Sequence, residues 1–125
     1  GFYRDLGYGL IYAQVLPHFK YEDAAVQAAV LARAGERSRR WLGVLDRHFI
    51  GPDRNYVVGD TMSLADYLGA CLVTVGEVIR LDYSAYPNVV RWLNTIKARP
   101  AWGKVNEGFY QYFVTPLKDA PFVGL

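Results

Sequence analysis

Residues 56–79 read YVVGDTMSLADYLGACLVTVGEVI. Ser63 stands at an N-cap position, and Asp66 follows three residues later. The spacing lets the Ser63 hydroxyl meet the Asp66 amide while the Asp66 carboxylate reaches back to the Ser63 amide. This is a capping box with Asp in the usual Glu or Gln place. Met62 and Tyr67 flank the cap at the spacing of a hydrophobic staple. Gly59-Asp60 supplies the turn that leads in. A helix therefore starts at Leu64.

From Leu64 to Leu81 only Asp66, Glu77 and Arg80 carry charge. Leu64, Leu68, Leu72, Val75 and Ile79 recur at helical spacing, and Ala, Val, Tyr and Cys71 fill much of the remaining circumference. A helix apolar almost all round is predicted to be buried on several sides. At about 1.5 Å per residue it spans roughly 27 Å, enough to cross a small domain. Burial of the stripe is worth roughly 8–15 kcal/mol as an upper bound, as much as the net stability of a whole domain. The rest of the chain is expected to wrap this helix.

The totals agree with one globular domain over residues 1–125. Of the 125 residues, 52% are hydrophobic and 21% charged, which excludes a disordered chain. The net charge of +2 does not call for a nucleic acid. One cysteine, Cys71, lies in the apolar helix, where an inert buried thiol is expected. It rules out an internal disulfide framework and suits a reducing, cytoplasmic setting. No apolar run is long enough to span a membrane, and no signal peptide opens the chain. The chain enters a patterned helix almost at once, as a piece of something longer would.

Flanking segments read as further helices. The first covers about 2–16, with Leu6, Leu10 and Ala13 on one face and Tyr8, Ile11, Tyr12 and Val15 on another. Gly7 and Gly9 weaken it by roughly 1 kcal/mol each, so they point to close approach of a neighbour. Pro17 ends it. Tyr3, Tyr8 and Tyr12 are read either as a face packed on a partner helix or as the aromatic wall of a small-molecule pocket. The second helix covers about 23–49. Val26, Val30, Ala34, Trp41, Leu45 and Phe49 are its expected apolar side, and Glu36–Arg40 a supporting pair. Arg33, Arg37, Arg40 and Arg47 make a basic stripe, read as a solvated face, a subunit contact, or steering for an anionic ligand. After the capped helix, Pro87 opens another over 87–99. Val89, Val90, Trp92, Leu93 and Ile96 point to its core face, Arg91, Lys97 and Arg99 to water, and Pro100 stops it. A short helix is expected over 101–106 and an irregular tail from Gly108, held down by its aromatics. No strand alternation appears. The fold class is all-α, about five to six helices around a buried central helix.

The search for chemistry is mostly negative. His18 and His48 have no metal-ligand spacing, and no nucleophile elbow, phosphate loop or dinucleotide fingerprint occurs. No catalytic or metal-binding residue is assigned. The cap position accounts for Asp66, and Asp66→Ala is expected to cost on the order of 1 kcal/mol.

Gly59-Asp60-Thr61-Met62-Ser63-Leu64-Ala65-Asp66 resembles the capping box and staple of the glutathione transferase C-terminal domain. Tyr86-Pro87-Asn88-Val89-Val90-Arg91-Trp92-Leu93, through Ala98-Arg99-Pro100-Ala101-Trp102, resembles the helix that follows it there. The opening helix, ending YAQVLPHF, is similar to that of bacterial members. The likeness covers the chain to about Asn106. It implies that the glutathione-binding, thioredoxin-like domain, with its activating residue, lies outside this chain. It implies that this half supplies the pocket for an apolar electrophile, part of a homodimer interface, and no catalysis alone. Glutathione would be the co-substrate of the parent protein. By position, the resemblance makes Tyr8 and Tyr12 pocket walls, with Tyr3 and Ile11 beside them and Phe109 and Tyr110 closing over. Ser63, Asp66, Met62 and Tyr67 carry over as structural. The alternative is a non-catalytic protein-interaction module of the same fold, as in translation-associated proteins, with the basic stripe as its contact surface. Neither nucleic acid nor membrane is an expected partner.

Overall fold

Asp23 starts the longest helix. Its Oδ1 accepts the amides of Ala25 at 2.8 Å and Val26 at 3.0 Å, an N-cap at the positive end of the helix. This helix, α2, covers Ala24–Val44 and continues with the wider π winding through Leu45–Ile50. Gly51, at φ +60°, turns the chain away. The computed structural model describes every residue from Gly1 to Leu125, and all its regular elements are helical. No helix is long and apolar enough to cross a membrane.

Before α2 comes α1, π-wound over Arg4–Tyr12 and α-helical over Ala13–Val15, ended by extended Leu16 ahead of Pro17. The two helices form a tight hairpin. A Cβ on Gly9 would lie 2.8 Å from the Ala34 Cβ, so glycine permits the approach, as the sequence suggested. Three polar ties run along the hairpin. Gln27 Nε2 donates to the Ala13 carbonyl at 2.7 Å, Trp41 Nε1 to Asp5 Oδ2 at 3.0 Å, and Arg37 Nε to Asp5 Oδ1 at 3.1 Å. The expected Glu36–Arg40 pair is not among the ion pairs; Asp5 takes Arg37 instead.

The capped helix, α3, runs Leu64–Thr74 and tightens into a 3-10 turn over Val75–Ile79. Arg80 stops it in the left-handed region, at φ 54° and ψ 45°. Next, α4 covers Pro87–Lys97 and α5 covers Pro100–Val105. Pro100 thus opens a helix as well as following one, because proline at a first turn forfeits no hydrogen bond. The last helix, α6, begins as Glu107–Phe109, continues through Tyr110–Val114, and closes as a 3-10 turn at Thr115–Leu117. The tail from Gly108 is therefore helical to Leu117, against expectation; only residues 121–125 are irregular.

The core joins Leu6, Leu10 and Ile11 of α1 to Leu42 and Ile50, to Val73, and to Val89, Trp92 and Ile96 of α4. It corrects two predicted faces. On α2 the buried line is Leu31, Ala34, Ser38, Leu42, Asp46 and Ile50, while Val26, Trp41 and Phe49 are exposed. The true face passes through two polar residues, which hid it from a hydrophobicity count. On α3 the buried residues are Asp66, Ala70, Val73 and Thr74, while Leu64 is 80% and Leu68 58% exposed. Cys71 is exposed too, not an inert core thiol. The other helices cover only the Asp66, Ala70, Val73 and Thr74 side of α3 and leave its Leu64 and Leu68 side open. Arg91 and Lys97 also fail to face water. Arg91 is half-buried and donates to the carbonyls of Gly51 at 2.7 Å and Arg54 at 2.8 Å, and half-buried Lys97 pairs with Glu77.

Candidate functional site

Two positions hold the helices that frame the site. Asp66 is fully buried and forms the capping box with Ser63. Its Oδ2 accepts the Ser63 amide at 2.9 Å and the Ser63 hydroxyl at 3.0 Å. Its Oδ1 accepts the Val57 amide at 2.8 Å and the Trp92 indole at 3.0 Å. Burial raises the pKa of this carboxyl, but the four donors outweigh it and hold the group below the usual carboxylate range. Met62 packs against the core, whereas Tyr67 is about half-exposed. Asp46 is the second position. Its Oδ1 accepts the amides of Asn88 at 2.8 Å and Val89 at 3.1 Å, so a side chain of the α2 extension caps α4. Nothing local in the sequence announced that pairing.

Between α1, the 3-10 turn after α3, and α6 lies a groove of about 220 Å³. Ile11, Tyr12, Val15 and Leu16 form one wall, Val75 and Val78 the floor, and Phe109 and Phe113 the far wall. Every lining residue is hydrophobic. The one polar atom of its side chains, the Tyr12 hydroxyl, is hydrogen-bonded to the hydroxyl of Tyr3. Burial, then that bond, pushes the Tyr3 phenol up to about 12. The groove therefore offers apolar contact and no acid, base or nucleophile. Its shape and lining suit holding and orienting an apolar molecule.

Three of the six expected pocket residues meet here: Ile11, Tyr12 and Phe109. Tyr3 reaches the groove only through Tyr12. Tyr8 packs edge-on against Tyr12, with centroids 5.1 Å apart, and against Phe19 at 5.7 Å. Its free side faces a different, more polar cleft of about 560 Å³ with Arg4, Arg33 and Arg37. The α1 tyrosines pack on one another and on Phe19, and of the three Tyr12 alone lines the groove. Tyr110 stacks edge-on against Phe109 at 5.2 Å, and Lys97 Nζ lies 6.0 Å from its ring centroid. It backs the wall without lining it. Val15, Leu16, Val75, Val78 and Phe113 were missed. Phe113 had a signal, since it stands four residues after Phe109 on what is one helix.

The other exposed features are separate. Tyr67 and Cys71 border a groove of about 440 Å³ shared with Ile96 and the start of α5. Arg33, Arg37, Arg40 and Arg47 are all exposed, and Arg37 and Arg40 flank Trp41 and Val44 in a shallow cleft of about 510 Å³. No three His, Cys, Asp or Glu side chains converge as a metal site would require.

The chain is an all-helical bundle with a Ser63–Asp66 capping box on α3 and an apolar groove against its first helix. Residues 10–100 match the family model described as glutathione S-transferase, C-terminal domain. The chain belongs to that family. No solved structure matches it.

Proposed function

We propose that this domain is the substrate-pocket and dimerisation half of a glutathione transferase-like protein that joins a glutathione thiolate to an apolar electrophile. The observation that carries this reading is the groove of Ile11, Tyr12, Val15, Leu16, Val75, Val78, Phe109 and Phe113, apolar throughout and without reactive groups. Such a groove suits a division of labour. A thioredoxin-like domain of the same parent chain would bind glutathione and stabilise its thiolate, the nucleophile. This half would hold the electrophile beside it. The exposed apolar Leu64 and Leu68 support a domain lying against α3. The isolated chain is then inactive, and the setting is cytoplasmic.

The test is titration with 1-anilinonaphthalene-8-sulfonate, an apolar fluorescent probe. Val15→Trp fills the groove and is expected to weaken the probe by about tenfold or more. Val105→Ser, in the separate groove against α5, should leave affinity unchanged. Equal affinity in the wild type and Val15→Trp would overturn the reading. Conjugation of glutathione to 1-chloro-2,4-dinitrobenzene is then assayed with the native gene product.

A second reading rests on the exposed Arg33, Arg37, Arg40 and Arg47 of α2, with Arg37 and Arg40 beside half-exposed Trp41, since arginine and tryptophan are enriched among the residues that carry protein contacts. It makes the domain a protein-interaction module. Arg33→Glu with Arg40→Glu should abolish association with a copurifying partner, and intact association would remove this reading.

A further inference from the structure

The end of the chain is bound to the rest by a small set of anchors. Gln14 pairs with Val123 in both directions: Nε2 donates to the Val123 carbonyl at 3.0 Å, and the Val123 amide donates to Oε1 at 2.7 Å. A residue opposite on a neighbouring strand would offer the same donor and acceptor, and here a side-chain amide supplies both. Gln14 Nε2 also donates to the Leu10 carbonyl at 2.9 Å, which fixes the amide on α1. The second anchor is Arg80. Its guanidinium donates to the Leu117 carbonyl at 2.8 Å and to the Ala120 carbonyl, and lies 5.6 Å from the Phe122 ring centroid. Phe122 and Leu125 pack against the core.

The anchors border the groove. Gln14 precedes Val15 and Leu16 of its near wall, and Arg80 follows directly on the turn that carries Val75 and Val78. The far wall, Phe109 and Phe113, sits on α6, which ends at Leu117, where the anchored segment begins. The polar contacts of both anchors to the segment are exposed, so water competes for each of them.

We propose that Gln14 and Arg80 form a docking site for a short apolar peptide, occupied here by the chain's own residues 118–125, and that this segment is a releasable strap holding α6 as the far wall of the groove. The docking site reads mostly backbone, the Ala120 carbonyl at Arg80 and the N–H and C=O of Val123 at Gln14, with Phe122 and Leu125 supplying apolar contact, while Arg80 also holds the last carbonyl of α6 at Leu117. The effect on ligands rests on the groove reading above; the docking itself does not.

The test is hydrogen exchange read by mass spectrometry on the full chain, comparing the wild type with Gln14→Ala and Arg80→Gly. Arg80→Gly removes the guanidinium while the left-handed backbone suits glycine, so the turn is kept. Amides of 110–117 are expected to exchange about tenfold faster in both variants, with those of α2 unchanged; Gln14→Ala decides, because Gln14 touches only Val123 of the tail whereas Arg80 also holds Leu117 of α6 directly. The anilinonaphthalene probe should weaken in parallel. Faster exchange confined to 118–125 would overturn the strap. A concentration-dependent dimer that Arg80→Gly abolishes would also overturn it, because the tail would then dock on a second copy. Loosening of 110–117 with undiminished probe affinity upholds the strap and removes the ligand reading of the groove.

Discussion

Trp92 Nε1 donates to Asp66 Oδ1 at 3.0 Å, which fastens the start of α3 to the middle of α4. Gly69 lets the indole lie close: a Cβ there would stand 3.1 Å from the ring. Asp66 is therefore a junction of the loop at Val57, its own helix, and the next one.

Asp66→Ala is expected to cost about 3–5 kcal/mol, well above the value for a lost helix cap alone, since it leaves the buried Trp92 indole and the part-buried Val57 and Ser63 donors unpaired. Urea unfolding midpoints at constant slope measure it. A loss within about 1 kcal/mol would return Asp66 to the role of a simple cap.

Acid should unfold the domain through the same carboxylate. Its folded value lies below the unfolded one, so its contribution is complete above about pH 4 and is lost as pH falls through the folded value. Asp66→Asn should flatten the acid limb of a stability profile measured from pH 7 downward. A limb of unchanged steepness contradicts this.

At the alkaline end the sign reverses. Burial raises the Tyr3 phenol to about 12, and burial with the Glu77 charge raises Tyr83 as well. Unfolded tyrosines ionise near pH 10, so the stability these groups contribute is whole below about pH 10 and declines above it. Tyr12→Phe should bring the Tyr3 titration down towards the ordinary value, read by phenolate absorbance.

Two glycines should respond in opposite directions. A Cβ at Gly76 would lie 1.9 Å from the Tyr83 hydroxyl, which donates to the Val73 carbonyl at 2.6 Å. Gly76→Ala should cost about 3 kcal/mol or more by overpacking, and Tyr83→Phe should restore part of it. Gly103, in α5 with open space around it, should gain about 0.5–1 kcal/mol as Ala. Thermal unfolding of the variants checks both.

The cap on α4 predicts a further difference. Asp46→Ala strips the Asn88 and Val89 amides of their partner and should cost about 2–3 kcal/mol. Asn88→Ala keeps both backbone donors and should cost about 1 kcal/mol. Comparable losses in urea unfolding would argue against a cap from α2.

Helix starts were legible because their signals are local: Asp23, Ser63 with Asp66, and Pro87 all stand where helices begin. Helix faces were less so. Ser38 and Asp46 lie on the buried side of α2, and Leu64 and Leu68 on the open side of α3, so counting apolar residues misplaced both faces. Half of the expected pocket residues line the groove. The rest was hidden because Val75, Val78 and Phe113 meet α1 only through tertiary packing. Arg91 reaching Gly51 and Arg54 shows the same limit: its partners lie far off in sequence.

Asp46 also makes the first amides of α4 depend on a residue 42 and 43 positions earlier in the chain. A fragment that begins after Ile50 keeps the sequence of α4 but loses the carboxylate that completes its first turn, so the helix should fray at Asn88 and Val89 once it is cut away from α2.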